Sequence, residues 1–160
     1  MSDKLLSNGN QVTNVPCLLL PLLGTTLVVP NVTVAEMAPM TPVQEVAGTP
    51  DWFVGFYHWR NQKVPLLSYE VLNGGARYPL NPLGRIAVLN NTGVNPNLPF
   101  IAVATQGIPR MARIGEEDIA ENDEIARGSF DLMRVKVGVE ELVIPDIAAL
   151  EASCLEVIGE

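Results

Sequence analysis

The chain has 160 residues and carries ten Lys and Arg against eighteen Asp and Glu, a formal net charge of −8. That acidic balance argues against nucleic acid as a partner, because phosphate binding needs a basic surface, and it disfavours anionic membrane for the same reason. With 48% hydrophobic residues the chain can bury a core without metal or disulfide, and its thirteen prolines and thirteen glycines, spread evenly, suit many short strands joined by turns.

Residues 1–14, with Ser7-Asn8-Gly9-Asn10-Gln11, read as a polar, flexible N-terminal arm. The apolar run over 15–29 is broken by Pro16, Pro21 and Gly24. It falls short of the roughly twenty residues of a spanning helix, and no basic n-region precedes it. Two buried strands, 17–23 and 25–29, are expected instead, in a soluble, cytoplasmic protein with no direct membrane insertion. Asn31 is placed to cap a short helix over 32–36. Thr49-Pro50-Asp51 is a helix-start signal for a turn ending at Gly55.

Strands over 56–60 and 63–67 then pair across Asn61-Gln62. Ser68 caps a short helix through Leu72, closed by Asn73-Gly74-Gly75. Beyond a link at 77–82, strands over 85–90 and 100–105 flank the loop 92–97, and 110–114 forms another strand. The acidic stretch 116–124 reads as a solvated loop. Over 132–138 the pattern alternates, with Val135, Val137 and Val139 on one face and Arg134 and Lys136 on the other. Glu140-Glu141 turn into a strand over 142–145. The period changes at the end: Ile147, Leu150, Cys154, Leu155 and Ile158 share one helical face, between an Asp146 cap and Gly159. The expected fold is mainly β, nine or ten strands and one sustained helix, in two barrel-like halves dividing near 74–84.

No catalytic constellation is present in this pattern. His58 is the single histidine and lies inside a strand, where a half-buried side chain is the expected state rather than a general base. Cys17 and Cys154 sit at opposite ends among leucines, without a C-x-x-C partner, and are expected to be buried free thiols. Gly74-Gly75 lacks the lysine of a phosphate loop. Asp118, Glu121, Asp123 and Glu124 lack the spacing of a calcium loop. No cofactor and no metal are expected. Trp52, Phe53, Phe56, Tyr57 and Trp59 hold five of the nine aromatics, either as core or as an exposed anchor for a partner. Arg60 is either a solvated strand end or a forked donor for a partner's carboxylate or carbonyl.

The order of segments from 34 to 72 resembles that of the CheW-type chemotaxis coupling proteins. Their Val-x-Glu-Ile is matched by Val34-Ala35-Glu36-Met37, and Thr41, Gly55, Arg60 and Pro65 fall where their signature falls. Residues 101–114 resemble their second-half strand pair, and Leu142-Val143-Ile144-Pro145-Asp146-Ile147 their closing strand and helix start. The resemblance implies two SH3-like five-stranded β-barrel subdomains within residues 15–160, packed across a hydrophobic seam. It implies a non-enzymatic adaptor joining the signalling tip of a chemoreceptor to the regulatory domain of a histidine kinase, with Val34, Glu36 and Arg60 at partner-binding positions. Asn61 stands where the family has glycine and Ser68 where it usually has Asp. These departures suit a divergent member, such as the ChpC-like accessory couplers of type IV pilus systems controlling twitching motility. A small-molecule-binding β-barrel is the alternative, and would show a large apolar pocket.

Overall fold

The computed structural model describes residues 14–159, so the arm expected over 1–14 lies, Asn14 excepted, outside the described residues. Eleven strands are found among the described residues, in two sheets. The first holds β1 (Val15–Pro21), β2 (Thr26–Pro30), β8 (Arg110–Ile114), β9 (Ile119–Glu121), β10 (Asp131–Val137) and β11 (Glu140–Pro145), in the order β8-β1-β2-β11-β10-β9. The second holds β3 (Val34–Ala38), β4 (Phe53–Trp59), β5 (Gln62–Leu67), β6 (Ile86–Asn90) and β7 (Phe100–Ala104), in the order β3-β6-β7-β5-β4. Helix α1 (Tyr69–Leu72) follows β5, and α2 (Ile147–Ile158) closes the chain. The mainly β class, the short helices and the C-terminal helix are as the sequence predicts.

The division is not. A cut at 74–84 would strip β6 and β7 from the sheet of β3–β5, and β1 and β2 from the sheet of β8–β11. The sheets interleave along the chain through two parallel pairings, Leu27 with Val143 and Leu66 with Ala102. Parallel neighbours cannot be joined by a tight turn, so segments distant in sequence must meet. The first sheet has a sixth strand because Ile119–Glu121, inside the acidic stretch expected as a loop, pairs with β10.

Most central strands are buried on both faces, which is why they carry runs of apolar residues rather than a clean alternation. On β1, Leu19 joins Cys17, Val28, Ile114, Val135 and Leu142 in a core belonging to the first sheet. Its neighbour Leu20 faces the other way, into a seam with Leu27, Val29, Phe53, Leu67, Leu89, Leu150 and Cys154. Tyr57, Trp59, Val64, Leu66, Val88 and Ala102 form a third core within the second sheet. Both cysteines are buried free thiols, as expected.

The seam is fastened by a buried polar network. Asp131 on β10 accepts from Tyr69 Oη (2.7 Å, with the Phe130 carbonyl equally near), Asn73 Nδ2 (2.8 Å) and the Gly128 amide (2.7 Å), and Arg134 Nε lies 3.5 Å away. Tyr69 and Asn73 belong to α1 and its cap, so these bonds tie the segment after β5 to the other sheet. Burial alone would raise the Asp131 carboxyl, but the donated hydrogen bonds and Arg134 outweigh it and hold the group below its ordinary value.

Several local expectations need correction. Residues 32–36 are not a helix: a 3-10 turn over Asn31–Thr33 makes no side-chain cap and leads directly into β3. Three β-branched residues in a row, Val32-Thr33-Val34, favour the extended chain. Thr49-Pro50-Asp51 opens only a single turn, closed by the Phe53 amide on the Pro50 carbonyl at 3.0 Å. Val139 is 99% exposed in the turn after Gly138, because β11 already begins at Glu140.

Gly55 lies inside β4 rather than ending a helix, and its φ of 148° goes with a close crossing. Gln44 exchanges two backbone hydrogen bonds with Phe56 (2.8 and 2.9 Å), and a Cβ at Gly55 would sit 2.8 Å from Val43 Cγ1 and closer still to the Gln44 carbonyl oxygen. Gly55→Ala is therefore expected to cost about 1–3 kcal/mol of strain. Urea titration checks this, together with loss of amide protection at Phe56.

Candidate partner-binding site

Strands β3 and β4 are the two edges of the second sheet, and side chains rather than backbone join them. Trp59, the last residue of β4, donates its Nε1–H to Glu36 Oε1 on β3 at 2.8 Å. Arg60 Nη2 reaches the same oxygen at 3.2 Å, and its guanidinium lies 4.8 Å above the Trp59 ring. Trp59 packs edge-on against Phe100, with centroids 4.8 Å apart. Two residues earlier on β4, Tyr57 Oη donates to the Pro39 carbonyl at 2.6 Å. An indole N–H needs a partner when its ring is buried, and Glu36 supplies it.

The register follows from the same demand. Trp59 pairs with Gln62, so the connection is Arg60-Asn61, one residue earlier than the sequence suggests. A slip by one would turn Trp59 outward. Both turn residues are left-handed, with φ of 49° and 64°; this is the two-residue geometry that matches the twist of a hairpin. Asparagine tolerates that region well, so Asn61 does what a glycine would do there. Arginine does so less readily, and its contacts with Glu36 and Trp59 hold it.

Val34 has a different place. The pairing of β3 with β6 runs Val34 to Leu89 and Glu36 to Val88, so Ala35 is an extra, bulged residue. Such a bulge re-aims neighbouring side chains. Val34 packs against the seam, whereas Glu36 reaches across to Trp59. Of the three residues expected at partner-binding positions, Glu36 and Arg60 are thus in contact, and Val34 lies on the same strand facing the seam. Trp59 is the member the sequence alone reads only as part of an aromatic cluster. Of that cluster Phe53, Tyr57 and Trp59 are buried and Trp52 and Phe56 half-buried, so core is its main role.

No catalytic constellation is assembled here among the described residues. His58 is exposed, against expectation, with Nε2 2.9 Å from Gln44 Oε1. No group of three metal-ligating side chains exists among the described residues. A 620 Å³ groove between residues 43–45 and 76–80 is lined by Val54, Leu67, Tyr78 and Arg77. Glu70 on its rim is occupied by the Leu23 amide and the Ser68 hydroxyl.

A profile of the CheW-like domain matches residues 16–151. The chain belongs to the CheW-like domain family. Domains of this family are binding modules and not enzymes. The crystal structure of the scaffolding protein TtCheW from Thermoanaerobacter tengcongensis is similar in fold, with a TM-score of 0.68 at 14% identity, covering 82% of this chain and 83% of that one. No curated protein matches this chain in sequence. In this CheW-like domain, no helix among the described residues is long and apolar enough to cross a membrane.

Proposed function

We propose that this CheW-like protein is a cytoplasmic, non-enzymatic adaptor that couples a chemoreceptor signalling tip to the regulatory domain of a histidine kinase. Val34, Glu36 and Arg60 form part of its partner-binding face. The observation that carries the reading is the Glu36–Trp59–Arg60 cluster. Arg60 is 68% exposed in its side chain, yet it is held on a buried indole by a single bond to Glu36. Its remaining guanidinium donors face solvent in a fixed orientation, which suits a carboxylate or carbonyl on a partner helix and lowers the ordering cost of binding. Ser68 in place of the family's usual Asp and Asn61 in place of its glycine support an accessory, ChpC-like role in pilus-based motility.

Arg60→Ala tests the reading. The Glu36 pair is surface-exposed, so stability should change by no more than about 1 kcal/mol. Capture of receptor signalling fragments or of the kinase regulatory domain should fall at least about tenfold, the scale of a desolvated arginine contact. Arg60→Lys should restore only part, since an ammonium cannot reproduce the fork. Unchanged capture of both partners, or unfolding of the alanine variant, would remove this surface from the proposal. Loss of twitching with swimming intact in a deletion strain would support the pilus assignment; the reverse phenotype would exclude it.

A further inference from the structure

The face that α2 turns to the protein includes a carboxylate. Glu151 is 1% exposed, although its position lies off the apolar stripe of Ile147, Leu150, Cys154 and Leu155. Its Oε2 accepts from the Thr92 amide (2.9 Å), and its Oε1 from the Thr92 hydroxyl (2.7 Å) and Asn95 Nδ2 (3.0 Å). No salt bridge neutralises it among the described residues. A carboxylate that exchanges water for neutral donors is an expensive way to fill space, and an apolar side chain would serve packing better. What Glu151 does instead is hold the β6–β7 loop.

That loop leads back to the partner-binding edge. Within it, Val94 donates its amide to the Thr92 hydroxyl (3.2 Å), and Asn91 donates to the carbonyls of Asn95 (2.7 Å) and Leu98. Leu98 is buried in the seam. At its start, Asn90 Nδ2 donates to the Val32 carbonyl at 2.9 Å, two residues before Val34, and Leu89 is the strand partner of Val34. A continuous series of bonds therefore runs from the C-terminal helix through Thr92 and Asn90 to the beginning of β3. Trp59 fixes the Glu36 end of the same strand.

We propose that Glu151 is a positioning residue for the partner-binding edge, holding the β6–β7 loop and through it the Val32–Val34 approach to β3. The functional half of this inference rests on the adaptor reading; the loop-holding half does not. Glu151→Gln is the informative variant because it keeps the volume and removes the charge. Donors approach both carboxylate oxygens, so the amide must set its own NH₂ against one of them. Thr92→Val attacks the same contact from an exposed position where the core is untouched.

In the full chain, both variants should accelerate hydrogen exchange at the amide of residue 92 at least about tenfold, the scale of a lost hydrogen bond to a charged acceptor. The Val94 amide, whose acceptor is the Thr92 hydroxyl, is read in Glu151→Gln alone. Amides of β10 and β11 should be unchanged. Cys154, one turn along α2 and fully buried, should stay shielded from a thiol reagent, which shows that the helix remains seated. Capture of a chemoreceptor signalling fragment should fall at least about threefold with Arg60 intact. Unaltered exchange at residue 92 in both variants overturns the proposal, as does faster exchange with full capture in a background where Arg60→Ala abolishes it. If Arg60→Ala itself leaves capture unchanged, the adaptor surface fails and the loop exchange still decides what Glu151 holds. Should Glu151→Gln expose Cys154, the Thr92→Val result decides instead.

Discussion

Asp131→Ala should be among the most damaging single changes in this protein, costing about 3–5 kcal/mol at neutral pH. The carboxylate is fully buried, and its removal leaves the Asn73 amide and the Gly128 N–H without their acceptor and the Arg134 guanidinium without its counter-charge. Tyr69 loses least, because its hydroxyl can turn to the Phe130 carbonyl. Chemical denaturation at pH 7 measures the loss. Its pH dependence is a second, independent check. The folded carboxyl is held below the ordinary 3.8, so its contribution is complete above that value and is lost as pH falls through the folded one. The stability gap between the native protein and Asp131→Asn should therefore narrow only below about pH 4. A gap that stays constant down to pH 2 would mean that the hydrogen bonds, not the charge, carry the effect.

Leu150→Ala should cost about 2–5 kcal/mol. Leu150 is fully buried in the seam, where α2 packs against strands from both sheets. A cavity there cannot collapse easily, because the β-strands around it are fixed by their ladders. Ile158, expected on the same face, is 41% exposed; Ile158→Ala should stay within about 0.5 kcal/mol. Comparable losses at the two positions would show that α2 is seated differently. Cys154 reports the same burial chemically: burial and the neighbouring Glu151 carboxylate push its thiol up to about 12, so it should be inert to alkylation in the folded protein at pH 8.

Local chemistry was legible where one residue decides the outcome. Ser68 accepts from the Val71 amide at 3.3 Å and Asp146 from the Ala149 amide at 3.1 Å, as their cap positions predict. Gly159 ends α2 with φ of 89°. The strand Arg110–Ile114 has the expected bounds. What failed was whatever depends on partners distant in the chain. The start signal at Thr49-Pro50-Asp51 is genuine in isolation, but Phe53 and Val54 are claimed by two different cores and draw the chain into β4. Ile119–Glu121 has acidic neighbours and only one strong apolar residue, so pairing with β10 rather than its own pattern makes it a strand.

The positions proposed for partner binding were legible only through the family resemblance. Nothing in the spacing of Glu36 and Arg60 announces that they touch, since the contact exists only because the outer strands of one sheet curl toward each other. Glu151 was missed for a related reason. On a helical wheel it borders the apolar stripe, and a charged residue there is assigned to solvent unless the donors of Thr92 and Asn95 are known to face it.

The interleaved sheets carry a consequence for how the molecule comes into being. Leu27 leaves the ribosome long before its partner Val143 does. The hairpin of β1 and β2 must therefore wait for β8 and β11 with its edges open and its leucines uncovered, and pairing at such long range is slow. Neither a nascent N-terminal half nor either product of a nick at residues 74–84 holds a complete sheet. Such pieces would be unfolded alone and competent only together, so assembly of this domain should behave as a single concerted event that waits for β11, with aggregation as its competitor.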